Sequence, residues 1–253
     1  MSVGQEVSYL RYESDCFSSA TTQVVREGLV RLHVNGQELA MIMCTPVELD
    51  LLAIGFLCGE GIIENLSDVR RIVVCPSGGC VEVWLRDASR VLPTARVLTS
   101  GCGGGITFAD LTERVKPLDS TVSVTADQLG QLLFKLQEGQ RMRGLHAAAL
   151  SDSEQLLAVA LDVGRHNAID KLWGRCLVEG IATQDRIVLT TGRISSEMLR
   201  KVARMAAPIV ASRTSPTTLT LALAEAWNVT VVGYVRRGSL NVYTGLARVL
   251  PKR

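Results

Sequence analysis

The second half of the chain alternates apolar runs typical of buried strands with segments of helical periodicity. Strands are predicted at 146–150, 156–161, 186–190, 209–213, 229–235 and, at an edge, 240–243. Helices are predicted at 126–138, 167–178, 195–206 and 216–227. Such alternation predicts a mostly parallel sheet covered by helices. With 47% hydrophobic but only 4% aromatic residues, the apolar content is mainly aliphatic, as in α/β cores.

The first half of the chain predicts a smaller α+β lobe. Strands are predicted at 30–34, 38–44, 71–75 and 80–86. Asn35-Gly36, between the first two strands, is the strongest short signal for a β-hairpin. Thr45 and Glu48 have the spacing of a capping box, so we expect Thr45 to cap the apolar helix that follows.

The chain therefore divides into three predicted parts. Residues 1–23 show no clear period and are expected to form a loose N-terminal arm. Residues 24–120 form the small α+β lobe, which ends in a glycine loop around Cys102. Residues 121–253 form a three-layer α/β lobe, so the predicted fold class is α/β.

Charge and cysteine usage exclude several classes of protein. The chain has 27 basic and 25 acidic residues, a net charge of +2, which argues against a nucleic-acid binder. It opens without the pattern of a signal peptide, and no apolar run reaches the length of a membrane span. We expect a cytoplasmic protein, not bound to a membrane, with mostly free thiols and no zinc site.

Cys102 is the first candidate for chemistry. It lies among four glycines, Gly101 and the run 103–105, which leave the thiol without bulky neighbours. An accessible thiol is nucleophilic when it is ionised, so Cys102 is a candidate catalytic residue. The alternative is that the loop is only a connector and its cysteine is incidental.

Polar residues follow three of the predicted strands of the larger lobe. If these strands are parallel, their carboxyl ends share one edge of the sheet, where ligands bind. The candidate residues there are Arg193, Ser212, Arg213, Tyr234, Val235, Arg236, Arg237, Gly238 and Ser239. Arginines, hydroxyls and helix N-termini suit phosphate groups, so we predict a site for a phosphorylated ligand such as a nucleotide. The alternative is that the hydroxyls only cap helices and the arginines are solvated.

A dense polar cluster lies between a strand and a helix at 161–171. His166 is a candidate acid–base group that Asp162 or Asp170 could orient. The favoured alternative is a buried structural network in which Asp162 accepts hydrogen bonds and Arg165 pairs with Asp170. A nucleotide hydrolase or deaminase using His166 is a further class of function, but the sequence has neither a serine elbow nor a deaminase zinc signature.

Taken in order, these motifs resemble the FdhD family of formate dehydrogenase accessory proteins, over roughly 30–244. The resemblance rests on Val34-Asn35-Gly36, Met43-Cys44-Thr45-Pro46, Ser100-Gly101-Cys102-Gly103, Asp162-Val163-Gly164-Arg165-His166 and Asn241-Val242-Tyr243-Thr244. It implies a sulfurtransferase that takes sulfur from a cysteine desulfurase as a persulfide on Cys102. It also implies delivery of that sulfur to the molybdenum bis(molybdopterin guanine dinucleotide) cofactor, a bound substrate, which activates formate dehydrogenase.

The resemblance further implies where this substrate binds and which partners are involved. The family's cofactor-contacting segment falls on Tyr234 through Ser239, and a free guanine nucleotide would mimic the substrate there. The larger lobe is expected to be cytidine-deaminase-like, without zinc. The implied partners are the desulfurase, the catalytic subunit of formate dehydrogenase and a second copy of the chain, as a homodimer.

One position departs from the family pattern. Many members carry Cys-Gly-x-Cys in the loop, whereas Gly105 stands here at the second cysteine position. A relay between two loop cysteines is therefore excluded. Either Cys102 alone suffices, or the chain belongs to a branch of the family with a modified mechanism. A third alternative is a cofactor-binding chaperone for formate dehydrogenase without sulfur transfer.

Overall fold

The computed structural model describes residues 2–93, 97–98, 106–107, 116–139 and 142–251. The glycine loop with Cys102 lies outside the described residues. The strands are β1 Gly4–Glu13, β2 Cys16–Val25, β3 Gly28–Val34, β4 Gln37–Cys44, β5 Val69–Val74, β6 Cys80–Leu85, β7 Val97–Leu98, β8 Ile106–Thr107, β9 Val124–Thr125, β10 His146–Ser151, β11 Leu156–Asp162, β12 Ile187–Thr190, β13 Ile209–Ser212, β14 Thr230–Arg236, β15 Ser239–Val242 and β16 Val249–Leu250. The helices are α1 Leu49–Gly59, α2 Ala126–Glu138, α3 Arg165–Glu179, α4 Ser196–Arg204 and α5 Thr218–Ala226.

The larger lobe contains a six-stranded sheet in the order β11-β10-β12-β13-β14-β15. Only β12, β13 and β14 are parallel to one another, and the other neighbouring pairs are antiparallel. The prediction of a mostly parallel sheet is therefore wrong, although the α/β fold class is confirmed. The reason is that short turns connect β10 to β11 and β14 to β15, and short turns join antiparallel strands.

Alternation along the strands builds two cores on the two faces of this sheet. On β10, Ala147 and Ala149 face α2, whereas Ala148 and Leu150 face α3, α4 and α5. Leu132 of α2 belongs to the first core. This arrangement gives the three layers that the sequence predicts, because successive strand residues point to opposite faces.

The small lobe has a four-stranded sheet in the order β4-β3-β6-β5. Asn35 and Gly36 have φ values of 51° and 78°, as a two-residue hairpin turn requires, so the first predicted hairpin is confirmed. Helix α1 lies between this sheet and α3, and its apolar residues join one continuous core that extends from Val30 to Val231. The two lobes therefore share a core.

Helices α1 and α3 cross with their backbones in contact. A Cβ at Gly55 would overlap the carbonyl oxygen of Asp170, and one at Gly174 would overlap that of Leu51. Only glycine permits this approach at both positions. The close crossing fixes the orientation of the small lobe relative to α3.

The structure corrects the loose arm predicted for residues 1–23. Strands β1 and β2 pair over their full length as an antiparallel hairpin, with Ser14 and Asp15 at positive φ in the turn. Most of the hairpin is exposed, including Leu10 and Phe17. Because neither face is buried, the sequence lacks the apolar alternation that would have indicated a strand.

The capping box predicted at Thr45 is also wrong. Helix α1 begins at Leu49, and its N-cap residue, Glu48, makes no side-chain capping bond. Thr45 is fully buried, and its hydroxyl accepts a hydrogen bond from the backbone N–H of Val163 at 3.0 Å. The side chain thus links the small lobe to the end of β11 instead of capping α1.

The cysteines are partly paired. Cys75 and Cys80 form a disulfide across the β5–β6 turn, whereas the sequence indicated mostly free thiols. Cys16, Cys44, Cys58 and Cys176 are free. In the described part of the chain, no helix has the length and apolar character needed to cross a bilayer.

Candidate functional site

The candidate site is the edge of the large sheet at which β12, β13 and β14 end. We call this edge the rim, and it comprises His146, Asp162, residues 190–193, residues 212–214 and residues 234–239. His146, at the start of β10, pairs with Asp162 at the end of β11, because these strands are antiparallel to each other. The three strand ends predicted to share one edge do so in the structure.

A hydrogen bond connects the segment that follows β12 to the end of β13. The Ser212 hydroxyl donates to the carbonyl oxygen of Gly192 at 2.6 Å and accepts from the backbone N–H of Thr214 at 3.0 Å. Ser212 is fully buried. Its side chain therefore stabilises the conformation of the rim. Because the hydroxyl is buried and hydrogen-bonded within the protein, the structure does not support the predicted contact between Ser212 and a ligand.

Two arginines lie together on the β13–β14 side of the rim. Nη1 of Arg236 donates to the carbonyl oxygens of Arg213 and Val235, at 2.7 and 2.8 Å. Burial, and then the positive charge of Arg236, lower the pKa of Arg213. Like charges this close disfavour each other, so an anion bound beside them would be stabilised.

The backbone at Tyr234 has an unusual conformation. Its φ is 51°, and the pairing of β14 with β15 is irregular between Gly233 and Arg236. The Tyr234 N–H donates to the carbonyl oxygen of Thr214 at 3.1 Å, which holds this conformation in place. Positive φ at a non-glycine residue is costly and occurs often at functional sites. The Tyr234 side chain is exposed, whereas Val235 is buried.

Arg237 points to the other side of the same segment, toward α2. Its guanidinium carbon lies 3.4 Å from the centroid of the Phe134 ring. Gly238, with φ at 78°, and Ser239 complete an exposed turn. Arg193 is also exposed, two residues before the Ser195 cap of α4. The structure thus brings the predicted arginines to one edge but directs them differently.

His166 lies at the β12 side of the rim. Its Nε2 is 3.0 Å from the Ser195 hydroxyl and 3.5 Å from a carboxylate oxygen of Glu197. Burial, followed by the charges of Lys201 and Arg165, lowers the pKa of His166 to about 2. The ring is therefore neutral at physiological pH and is a poor proton donor there. This counts against a hydrolase or deaminase that uses His166.

His146, the histidine that belongs to the rim, is also partly buried near Arg165. Burial lowers its pKa first, and the nearby Arg165 charge adds to the effect. Its Nδ1 lies 3.5 Å from the Thr191 hydroxyl. A Cβ at Gly192 would lie 2.7 Å from the Arg165 side chain, so glycine allows Arg165 to pack against this part of the rim.

Asp162 is the centre of a buried network, as the sequence analysis favoured. Its carboxylate accepts from the Gly164 N–H, from the Asn167 side chain and from the Thr45 N–H, at 2.8, 3.0 and 3.1 Å. It also pairs with Lys171 at 2.6 Å. Through Thr45, these bonds connect the small lobe to the larger lobe at Asp162 of the rim.

The predicted pairing of Arg165 with Asp170 is wrong. Both Asp170 oxygens lie 2.7 Å from Nζ of Lys201, which comes from α4. Asp170 is on the side of α3 that faces α4, whereas Arg165 lies at the start of α3 beside Gly192. The pair joins residues 31 apart in sequence, and no local spacing indicates it.

The free cysteines in the described ranges differ sharply in exposure. Burial raises the pKa of Cys44, Cys58 and Cys176 to about 12 each. These thiols are therefore un-ionised near neutral pH and poor nucleophiles. Cys16 is exposed at the tip of the β1–β2 hairpin. The candidate nucleophile Cys102 lies outside the described residues.

A metal site was not predicted. Within the described ranges, no group of three or more His, Cys, Asp or Glu side chains is arranged to hold a metal ion. The absence of zinc stays a prediction.

Phe134 is a residue that the sequence analysis missed. It shares a face of α2 with Asp127 and Gln131, at helical spacing, and that face meets Arg237. An aromatic residue on a predominantly polar face of the predicted helix was the available signal.

Comparison with known proteins shows the same family along nearly the whole chain. The model of the FdhD/NarQ family matches residues 25–250. The sulfur carrier protein FdhD of Bacillus subtilis (strain 168) is 37% identical over 248 residues, covering 94% of this chain and 95% of that protein. The sulfur carrier protein FdhD of Staphylococcus aureus (strain MRSA252) is 35% identical over 259 residues, covering 99% and 97%.

A solved structure is also similar. It is the crystal structure of a protein from Desulfotalea psychrophila assigned as a formate dehydrogenase accessory protein. The match has a TM-score of 0.82 and 27% sequence identity, and it covers 98% of this chain and 100% of that chain.

Proposed function

The chain belongs to the FdhD/NarQ family, and from this premise we propose that it is a cytoplasmic sulfurtransferase that supports a formate dehydrogenase. It takes sulfur from a cysteine desulfurase as a persulfide on Cys102. It then delivers this sulfur to the molybdenum bis(molybdopterin guanine dinucleotide) cofactor, its bound substrate. The observation that carries the proposal is the near full-length likeness to relatives named sulfur carrier proteins.

The uptake step is a thiol–persulfide exchange. The Cys102 thiolate attacks the outer sulfur of the persulfide on the desulfurase, and a bond forms between that sulfur and Sγ of Cys102. The bond between the outer sulfur and the desulfurase cysteine breaks, and its electron pair leaves with that cysteine as a thiolate. No external oxidant or reductant is needed, because one sulfur–sulfur bond replaces another.

The other cysteines support the choice of Cys102 by their environments. Cys44, Cys58 and Cys176 are buried with raised pKa values, and Cys75 and Cys80 are paired with each other. Of the cysteines in the described ranges, Cys16 alone is both free and exposed. An experiment on Cys102 therefore requires Cys16 as its control.

The rim supports the substrate part of the proposal. Arg213 and Arg236 lie together at the carboxyl ends of β13 and β14, where open α/β sheets bind ligands. Their positive charges suit the phosphates of a guanine dinucleotide, for which GDP is a mimic. We extend the proposal to a homodimer that docks on the catalytic subunit of formate dehydrogenase.

Intact-protein mass spectrometry tests the sulfur transfer. The protein is incubated with a cysteine desulfurase, pyridoxal phosphate and cysteine, beside the variants Cys102→Ala and Cys16→Ala. We expect the mass of one sulfur atom to be added to the wild type and to Cys16→Ala, to be removed by dithiothreitol, and to be absent from Cys102→Ala.

Two results would contradict the proposal. An undiminished mass gain in Cys102→Ala would show that another cysteine carries the sulfur. No gain in any protein, while the desulfurase turns over cysteine, would favour the cofactor-binding chaperone. The observation that favours this alternative is Gly105, which stands where many family members carry a second loop cysteine.

A further inference from the structure

A groove of about 660 Å³ lies beside β11, where the large sheet meets the small lobe. Its walls are β11, the turn that joins β5 to β6, and the first turn of α1. The volume lies within the range of ligand sites. Because β11 and β15 form opposite edges of the six-stranded sheet, the groove is distinct from the 234–239 segment of the rim.

The backbone of β11 has free hydrogen-bonding groups on the side of the groove. Ala147 of β10 directs its backbone toward β12, because its C=O accepts from the Thr191 N–H and its N–H donates to the Thr191 hydroxyl, each at 3.0 Å. Backbone groups alternate in direction along a strand, so those of Ala148 face β11 and its register partner, Ala160. The N–H and C=O of Val159 therefore point away from β10. Within the described ranges, no other group bonds to them.

The wall formed by β5 is also the edge of a sheet. The Cys75 N–H donates to the carbonyl oxygen of Cys80 at 2.9 Å, and a disulfide joins the same two residues. By the same alternation, the backbone groups of Val74 point away from β6. The groove therefore lies between the free edges of two sheets, one in each lobe.

The side chains of the groove combine apolar surface with negative charge. Val74 and Val159 are 39% and 37% exposed, which is unusual for valines on two strands of buried sheets. Glu48 and Asp50 lie on the wall formed by α1. Glu48 pairs with Arg175, whereas Asp50 has no ion-pair partner in the part of the chain that the structure describes. A ligand with apolar groups and a positive charge complements this surface, and an acidic ligand is repelled.

The structure beside β11 selects the kind of ligand. An edge strand in the open can pair with a whole second sheet, but α1 and the β5–β6 turn line the same groove and leave room for a single strand. A helix does not pair with the edge, because its backbone groups are already bonded to one another. We propose that the groove binds an extended segment of a partner protein, which adds to β11 as a strand and places a lysine or arginine near Asp50. This docking site is independent of the proposed sulfur transfer.

Fluorescence anisotropy with a labelled, end-blocked peptide of about eight residues tests the groove. The peptide alternates valine with serine and ends in lysine. We expect the wild type to bind it, and not to bind the same peptide methylated at every backbone nitrogen, because methylation removes the donors that pair with β11.

Two positions of the groove supply matched variants. Val159→Pro removes an N–H that has no partner within the described protein and should weaken peptide binding roughly 5- to 150-fold, whereas Val159→Ala keeps it and should bind within about 5-fold of the wild type. Asp50→Asn should weaken binding roughly 2- to 5-fold, and it should not affect a peptide that ends in glutamine instead of lysine.

Three results would overturn the proposal. They are no binding of the peptide by the wild type, equal binding of the methylated and unmethylated peptides, and equal binding by Val159→Pro and Val159→Ala. Sedimentation of the same proteins tests for a different occupant: a wild-type dimer that Val159→Pro converts to a monomer would show that a second copy of the chain fills the groove, and the peptide site would be wrong. If Val159→Pro fails to fold, the methylated peptide on the wild type gives the same test of strand addition.

Discussion

Acidification from pH 7 to pH 5 tests whether His166 is held neutral in the fold. In the folded protein, burial and the charges of Lys201 and Arg165 lower the pKa of His166 from 6.5 to about 2. In the unfolded chain the ring titrates near its ordinary value, so over this range only the unfolded state takes up the proton. The contribution of His166 to stability is therefore complete above about pH 6.5 and is lost progressively as the pH falls.

The size of the effect follows from one proton. Stability falls by about 1.4 kcal/mol per pH unit well below the unfolded pKa, and integration from pH 7 to pH 5 gives about 2 kcal/mol. His146 has a lowered pKa and acts in the same direction, whereas the pKa of Asp170, raised by burial to about 6, acts in the opposite one. Both groups remain in a His166→Gln variant, so the difference between the two proteins isolates His166.

Urea unfolding at both pH values measures this difference, with the fluorescence of the buried Trp173 and Trp227 as the signal. Glutamine keeps a polar group near the Ser195 hydroxyl but does not titrate. We expect the free energy of unfolding of the wild type, relative to His166→Gln, to fall by about 2 kcal/mol from pH 7 to pH 5. The same relative stability at both pH values would refute the argument that the fold excludes a charged His166.

Two further predictions concern packing and buried charge. Gly55→Ala should destabilise the protein by about 3 kcal/mol or more in urea unfolding, because its methyl group would overlap the backbone of α3. Gly139→Ala, at an uncrowded helix end, should change stability by less than about 1 kcal/mol; equal losses would contradict the argument. Lys171→Met should cost about 3–5 kcal/mol, since it leaves the buried Asp162 carboxylate without its cation. Arg175→Met removes two partly exposed ion pairs, with Glu48 and Glu179, and should cost about 1 kcal/mol or less by the same measurement. A similar cost for Lys171→Met and Arg175→Met would exclude this explanation.

Elements with a local signal were predictable from the sequence. The Asn35-Gly36 turn and the helical pattern of α2 have such signals, and both agree with the structure. The β1–β2 hairpin has none, because its two faces are exposed alike. Thr45 carried a capping signal, but its burial against the end of β11 outweighed the local preference.

The same distinction between local and long-range signals applies to the candidate site. The strand ends of the rim follow from the alternation of strands and helices, so Arg213 and Arg236 could be placed at one edge in advance. The Asp170–Lys201 pair and the stack of Arg237 on Phe134 could not. Each joins elements that are distant in sequence, and their contact depends on how helices pack, which residue spacing does not encode.

The crossing of α1 and α3 at Gly55 and Gly174 also restricts how the protein can move. A hinge between two lobes needs an interface that can slide or separate, but here backbone lies on backbone within one continuous core. Closure of one lobe over the other would expose that core and break the Thr45–Asp162 bond. We therefore expect the two lobes to move as one rigid body. Sulfur then has to reach the substrate without a change in the angle between the lobes.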